Sequence, residues 1–200
     1  MTFVIDEAFL PATLSAHPMT DEEFSALCAE HPDLNFELSA EGELIVMAPA
    51  HTDTGAFNFE VALLLGIWAR QDGRGQGVDS SGGFVLPNGA RRSPDASWTL
   101  KTRINELGPR RRKSFWHLAP DFVIEIKSDT DRLNTLRKKM REYLEQGVQL
   151  GWLINPDDKT VEIFRPGGKH EKLSGVNKVE GEGLVSGFVL DLTDIWDLAG

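Results

Sequence analysis

The segment Asp121–Ser128 constrains this chain more than any other. Successive side chains of a strand point to opposite faces. Phe122, Ile124 and Ile126 therefore share one face, and Asp121, Val123, Glu125 and Lys127 share the other. The first face is wholly apolar and has to be covered by other elements. The second carries an acid and an amine two residues apart, which the strand rise spaces at roughly 6–7 Å. The pattern predicts a rigid strand inside a sheet, with helices packed on it and a polar pair presented on one side.

The rest of the sequence supplies neighbours for such a strand. Thr20-Asp21-Glu22-Glu23 is a capping box that opens a short helix to about Glu30, stopped by Pro32. Asn35–Leu38 and Glu43–Met47 read as a hairpin turning at Glu41-Gly42. Between Thr54 and Arg70, Phe57, Val61, Leu64, Leu65 and Trp68 recur at helical spacing. Gln71–Gly77 is expected to be a loop, with strands at Val78–Ser80 and Phe84–Leu86 around Gly82-Gly83. Ser93–Leu100 alternates, with Ala96, Trp98 and Leu100 opposite Asp95, Ser97 and Thr99.

After the central strand, Ser128-Asp129-Thr130-Asp131 offers N-caps for a helix ending at Gly147, whose apolar face includes Leu136, Met140 and Tyr143. Leu150–Ile154 and Thr160–Phe164 follow as strands, and the last thirty residues read as short strands and a terminal turn with Trp196 packed. The order predicts an α/β chain: one domain over residues 1–200, a mixed sheet flanked by helices, and β additions at both ends.

Composition narrows the function classes. The lone Cys28 excludes an internal disulfide and a cysteine-based zinc cluster, and a reducing cytoplasm is expected. Met1–Leu10 has no positive n-region, and the longest apolar run, near Val61–Leu65, is far below the roughly 18 residues of a membrane span, so no membrane partner is expected. The net charge of −10 argues against nucleic acid until its distribution is read. Arg91–Arg141 holds 14 Lys/Arg against 6 Asp/Glu, a basic island in an acidic chain. That island is either a solvated surface or a phosphate-facing one. Arg91, Arg92 and the run Arg110, Arg111, Arg112 and Lys113 are the candidate nucleic-acid contacts, with Phe115 and Trp116 beside the run as possible stacking residues. A mobile basic loop with its aromatics folded onto the sheet is the alternative.

An acid and an amine on one strand face suit metal-assisted hydrolysis. The carboxylate of Glu125 would hold a hard cation, Mg²⁺ or Mn²⁺, and the ammonium of Lys127 would orient water and stabilise charge. One carboxylate does not hold Mg²⁺ against water, and Asp95, on the polar face of the preceding strand, is the candidate second ligand. A surface ion pair between Glu125 and Lys127 explains the same spacing. No P-loop, dinucleotide fingerprint, Ser-His-Asp order or cysteine nucleophile is present.

The longer segments add specificity. Arg91-Arg92-Ser93-Pro94-Asp95-Ala96-Ser97-Trp98, Pro120–Ser128, Lys139-Met140-Arg141-Glu142-Tyr143 and Gly151–Pro156 resemble, in order and spacing, the Uma2 family, which is grouped with bacterial endonucleases of the PD-(D/E)xK superfamily. The resemblance covers roughly residues 35–165, including Glu37-Leu38, Gly42-Glu43-Leu44 and the Pro49–His51 loop. It implies a restriction-endonuclease-like core and a metal site from Asp95, Glu125 and the carbonyl of Ile126. It leaves two amines open, because many relatives draw theirs from the following helix, at the position of Lys139. Lys127 is assigned water activation here and Lys139 phosphate or carboxylate contact. Glu37 fits a third acidic position of such sites, or a hairpin-edge charge, and Glu60 a helix acid approaching the site. His51 reads as a polar loop residue within reach of a phosphate.

Three functions stay open: a metal-dependent DNA endonuclease, expected as a homodimer because one site per chain cuts two strands only in pairs; a DNA-binding or protein-interaction module of the same fold; and, as the weakest, a metal-dependent hydrolase of another phosphoester such as RNA or a nucleotide.

Overall fold

The computed structural model describes residues 10–15, 19–47, 51–109 and 114–198. The first half runs β1 (Ala12–Ser15), α1 (Asp21–Glu30), β2 (Asn35–Leu38), β3 (Glu43–Met47), α2 (Thr52–Asp72), β4 (Gly75–Asp79), β5 (Phe84–Val85), β6 (Arg91–Arg92), β7 (Ala96–Leu100) and α3 (Lys101–Glu106). The second half runs β8 (Phe122–Ile126), α4 (Leu133–Glu145), β9 (Leu150–Asn155), β10 (Thr160–Arg165), β11 (Lys169–Ser174), β12 (Lys178–Glu180), β13 (Val189–Asp191) and α5 (Thr193–Leu198).

The central strand is β8, inside a six-stranded sheet ordered β11-β10-β9-β8-β7-β4. Its pairing with β9 is parallel, with Glu125 opposite Leu153, and its pairing with β7 is antiparallel, with Ala96 opposite Ile124. Parallel neighbours need a crossover, and α4 supplies it. The alternation read from the sequence sorts the two faces. Phe122, Ile124 and Ile126 join Phe57, Val61 and Leu65 of α2 on one side, while Val123 joins Leu136, Met140 and Tyr143 of α4 on the other. Trp98, Phe122 and Trp152 are completely buried, each contributing roughly 1.5–3 kcal/mol. The aromatic rings of Phe122 and Trp152 meet edge to face at 5.0 Å.

A second sheet, ordered β1-β3-β2-β6-β5, lies over a separate apolar cluster with α1. It matters for the site because it carries Glu37 on β2 and Arg92 on β6. The capping box is formed: the Thr20 hydroxyl accepts from Glu23 N, and the Glu23 carboxylate accepts from Thr20 N.

Two local expectations are corrected. Gly75–Gly77 is not a loop but the start of β4, paired with Leu100, Thr99 and Trp98 of β7. A Cβ at Gly75 would lie 2.1 Å from the Trp98 ring, so the glycine makes room for a buried indole. Nor do the residues of Ser128–Asp131 cap α4. Its N-cap is Arg132, with no side-chain cap, and Asp131 instead accepts from the backbone N and the hydroxyl of Ser128. Among the described residues, no helix is long and apolar enough to cross a membrane.

Candidate metal and nuclease centre

Glu125 follows Val123 on the α4 side of β8, and at 4% exposure it is nearly sealed from solvent. On α4, Lys139 and Tyr143 are one turn apart and face it together. The Tyr143 hydroxyl donates to Glu125 Oε1 at 3.0 Å, and the Lys139 ammonium sits 2.9 Å from the same carboxylate. Tyr143 was legible only as part of an apolar face. The signal for more was its hydroxyl, which a buried tyrosine has to place on a partner.

Asp95 lies just before β7, where the ladder with β8 ends at Ala96 and Ile124. Beyond that point the N–H of Ile126 donates to Asp95 Oδ2 at 2.7 Å. Asp95 Oδ1 accepts from Asn58 of α2 at 3.1 Å. Asn58 had no part in the sequence reading. The side chain of Glu60 lies about 200° around the helix from it, which excludes the approach expected of that acid. The Oδ1 of Asn58 is buried and has no hydrogen-bond partner among the described residues.

The ammonium of Lys139 also contacts Glu37 at 2.8 Å, so it bridges two buried acids. Glu37 is only 2% exposed. Its Oε1 accepts from Ser93 N at 2.9 Å, and its Oε2 accepts from Arg92 at 3.1 Å. Glu37 does not line the cleft that Asp95, Glu125 and Lys139 share, which sets it apart from the third-ligand position that the sequence suggested. It anchors the amine. Arg92 continues the chain of charges to Glu142 at 2.8 Å.

The two other amine and arginine expectations change for similar reasons. Lys127 leaves β8 after its last paired residue and reaches Asp157, in the β9–β10 turn, at 2.7 Å. It does not join Glu125, so of the two amines only Lys139 is at the centre. Arg91 and Arg92 are each 7% exposed. Arg91 is bonded to Asp21 and the Met19 carbonyl and lies over the Phe24 ring, leaving neither arginine free for phosphate. Arg110, Arg111, Arg112 and Lys113 lie outside the described residues. Phe115 packs on Phe24 and Trp116 on Phe84, so both aromatics are folded against the protein rather than offered to a base. On α4, Arg137 is tied to Glu162 of β10, while Lys138 and Arg141 are exposed.

Electrostatics follow from this crowding. Burial pushes the Glu125 carboxyl up to about 8; Lys139 opposes the rise, and the charges of Asp95 and Glu37 add to it. Burial likewise raises Asp95 to about 6, with Asp131 and Glu37 adding repulsion. For Glu37 burial is outweighed by Lys139 and Arg92, which hold it below its ordinary value. Lys139 is held charged: its burial disfavours the ammonium, but Glu125 and Glu37 more than offset that. An amine held in its charged form suits the stabilising of anions more than the accepting of a proton. Asp131, unnoticed in the sequence except as a cap, is the further acid of this neighbourhood.

Asp95, Glu125, Lys139, Asn58 and Asp131 line one cleft of about 710 Å³, with His51 and Asp129 at its rim, 3.9 Å apart. Among the described residues, no three His, Cys, Asp or Glu side chains form a ready-made metal cage. Two repelling carboxylates on an open cleft suit a different kind of ion. A hard cation such as Mg²⁺ keeps several waters and takes one or two carboxylates together with substrate phosphate. Asp95 and Glu125 could hold such an ion.

The mixed sheet, with a helix crossing over its parallel pair, is the restriction-endonuclease-like fold. A crystal structure of a protein from Anabaena variabilis ATCC 29413, described as a putative nuclease belonging to DUF820, is similar, with a TM-score of 0.74 and 23% identity over 92% of this chain and 100% of that one. The profile of the Uma2 family, described as "Putative restriction endonuclease", matches residues 21–193, and the chain belongs to that family. The match reaches beyond the segments quoted above on both sides. No curated protein matches the chain.

Proposed function

We propose that this protein is a divalent-metal-dependent endonuclease that hydrolyses DNA phosphodiester bonds, working in the cytoplasm as a pair of copies. The observation that carries the proposal is the meeting of Asp95, Glu125 and Lys139 on one cleft, two carboxylates raised by burial and by neighbouring acidic charge beside a fixed ammonium. Asp95, Glu125 and the Ile126 carbonyl would hold Mg²⁺ or Mn²⁺. When bound, that ion would supply charge neutralisation at the phosphate and a more acidic water. Ile126 N–H and Asn58 fix the orientation of Asp95. Tyr143 and Lys139 fix Glu125, and Glu37 holds Lys139 from behind. Lys139 then faces the negative charge that gathers on phosphorus oxygens as a nucleophile adds, and stabilises it without gaining or losing a proton. The basic run Arg110–Lys113 is proposed as a backbone contact for DNA.

The deciding experiment is calorimetry with Mn²⁺ and a plasmid-cleavage assay, each on the wild type and Glu125→Ala. Metal binding and metal-dependent cleavage that are both lost in the variant support the proposal. Cleavage that persists at wild-type rate refutes the site. A folded wild type that neither binds metal in the presence of DNA nor cleaves points to the non-catalytic binding module.

A further inference from the structure

Helix α2 lines the cleft with Gly55, Asn58, Phe59 and Ala62, which are spaced as one face of a helix. Asn58 is bonded to Asp95, so this face borders the carboxylate floor. Phe59 stands beside it and is 67% exposed. Gly55, one turn before Phe59, is the unexpected member, because glycine weakens a helix relative to alanine. Its backbone does not call for glycine: φ is not left-handed, and its N–H donates to the His51 carbonyl at 2.8 Å. Nor does packing, since a Cβ there would meet nothing within 4 Å. What the missing side chain leaves is space in the cleft, close to an exposed ring.

The rest of the lining says what that space fits. Leu34, Phe36 and Met47, in and beside β2 and β3, add apolar wall. Asp79, Asp95, Glu125, Asp129 and Asp131 line the cleft against one lysine, Lys139, among the described residues. A groove that seats a duplex faces one negative charge per roughly 1.7 Å of helix axis and neutralises it with rows of Lys and Arg. The described lining of this cleft has no such row. It has a small charged floor, where Lys139 and an ion held by Asp95 and Glu125 would take one phosphate, and apolar walls with an aromatic ring. That combination suits one unstacked nucleotide, with its phosphate on the floor and its base on the ring. The volume of about 710 Å³ is within the range of pockets that enclose a small ligand.

We propose that the cleft binds an unpaired nucleotide of a DNA strand, its base stacked on Phe59 in the space that Gly55 leaves open. The substrate is then single-stranded or locally unpaired DNA rather than intact duplex. The inference rests on the nuclease reading above for the phosphate, and its test does not use cleavage.

The test is binding in the presence of Ca²⁺, read by fluorescence anisotropy, of a short single DNA strand and of the same sequence as a duplex. A 2-aminopurine in the single strand reports stacking. The wild type is compared with Gly55→Leu, which fills the space, and Phe59→Ala, which removes the ring. Leu63→Ala, an exposed neighbour on α2 outside the cleft, is the control, and circular dichroism checks the fold of each. The wild type is expected to bind the single strand about tenfold or more tightly than the duplex and to quench the 2-aminopurine. Gly55→Leu and Phe59→Ala should each weaken single-strand binding about fivefold or more, with the quench lost in Phe59→Ala and Leu63→Ala behaving as the wild type. Duplex bound as tightly as the single strand, or more tightly, overturns the proposal. So does a folded Gly55→Leu with wild-type affinity for the single strand, or a quench that survives Phe59→Ala. The expected binding pattern with no strand cleaved in Mg²⁺ or Mn²⁺ sinks only the nuclease reading. A protein that prefers duplex and cleaves it sinks only this one.

Discussion

Replacing Lys139 with Met removes the cation between Glu125 and Glu37 and keeps a side chain of similar length. Removing one partner of a buried ion pair costs about 3–5 kcal/mol, because the charge left behind is uncompensated. Two features of this site lower that figure. Arg92 still neutralises Glu37, and Glu125, already raised to about 8, keeps at neutral pH the proton it holds in the wild type and leaves no bare charge. The expected loss at pH 7 is therefore about 2–3 kcal/mol. Lys127→Met is the control. Its partner Asp157 is 56% exposed, and an exposed pair of this kind contributes at most about 1 kcal/mol. Urea unfolding reads both, since a change in midpoint at constant slope is a change in stability. The Lys139→Met loss should grow above about pH 8, where Glu125 ionises against Lys139 in the wild type and has no cation in the variant. Plasmid cleavage should vanish in Lys139→Met and survive in Lys127→Met. If Lys127→Met costs as much stability as Lys139→Met, or alone abolishes cleavage, the assignment of the amine is wrong.

Two further outcomes follow from the site and the fold. Glu125 and Asp95 have folded values of about 8 and about 6, above their ordinary 4.5 and 3.8, so the folded state keeps protons that the unfolded chain has lost. Their contribution to stability is full at low pH and is lost as pH rises through those folded values, so metal-free thermal melts should show this decline, and Mg²⁺ should stabilise more at pH 8 than at pH 6. Metal stabilisation that is flat or falling with pH would count against Asp95 and Glu125 as ligands. In the sheet, Gly75→Ala places a Cβ against the Trp98 ring and should cost about 1–3 kcal/mol by overpacking, visible as a lower urea midpoint. An unchanged midpoint would mean that Trp98 repacks freely.

The local sequence determined much of this architecture. The period-two pattern of β8 decided which face meets α2 and which meets α4, because alternation is a property of the strand itself. The capping box at Thr20 and the spacing of Leu136, Met140 and Tyr143 set their helices for the same reason: each signal is complete within one or two turns. Asp95 and Glu125 were legible too, as acids on the polar side of two alternating segments.

The rest depended on contacts between distant parts of the chain. Whether Lys127 or Lys139 meets Glu125 turns on where β8 ends and on Asp157, thirty residues away, and no spacing within β8 contains that fact. Glu37 looked like a ligand because its charge was visible, while its partners Arg92, Ser93 N and Lys139 come from β6, the segment after it and α4. Arg92 read as a surface cation until two acids from separate elements buried it. Gly75–Gly77 read as a loop because glycine weakens a strand locally, yet the strand forms where Trp98 needs the room. A charged side chain's role is set by which opposite charges share its low-dielectric surroundings, and that company is chosen by the tertiary fold.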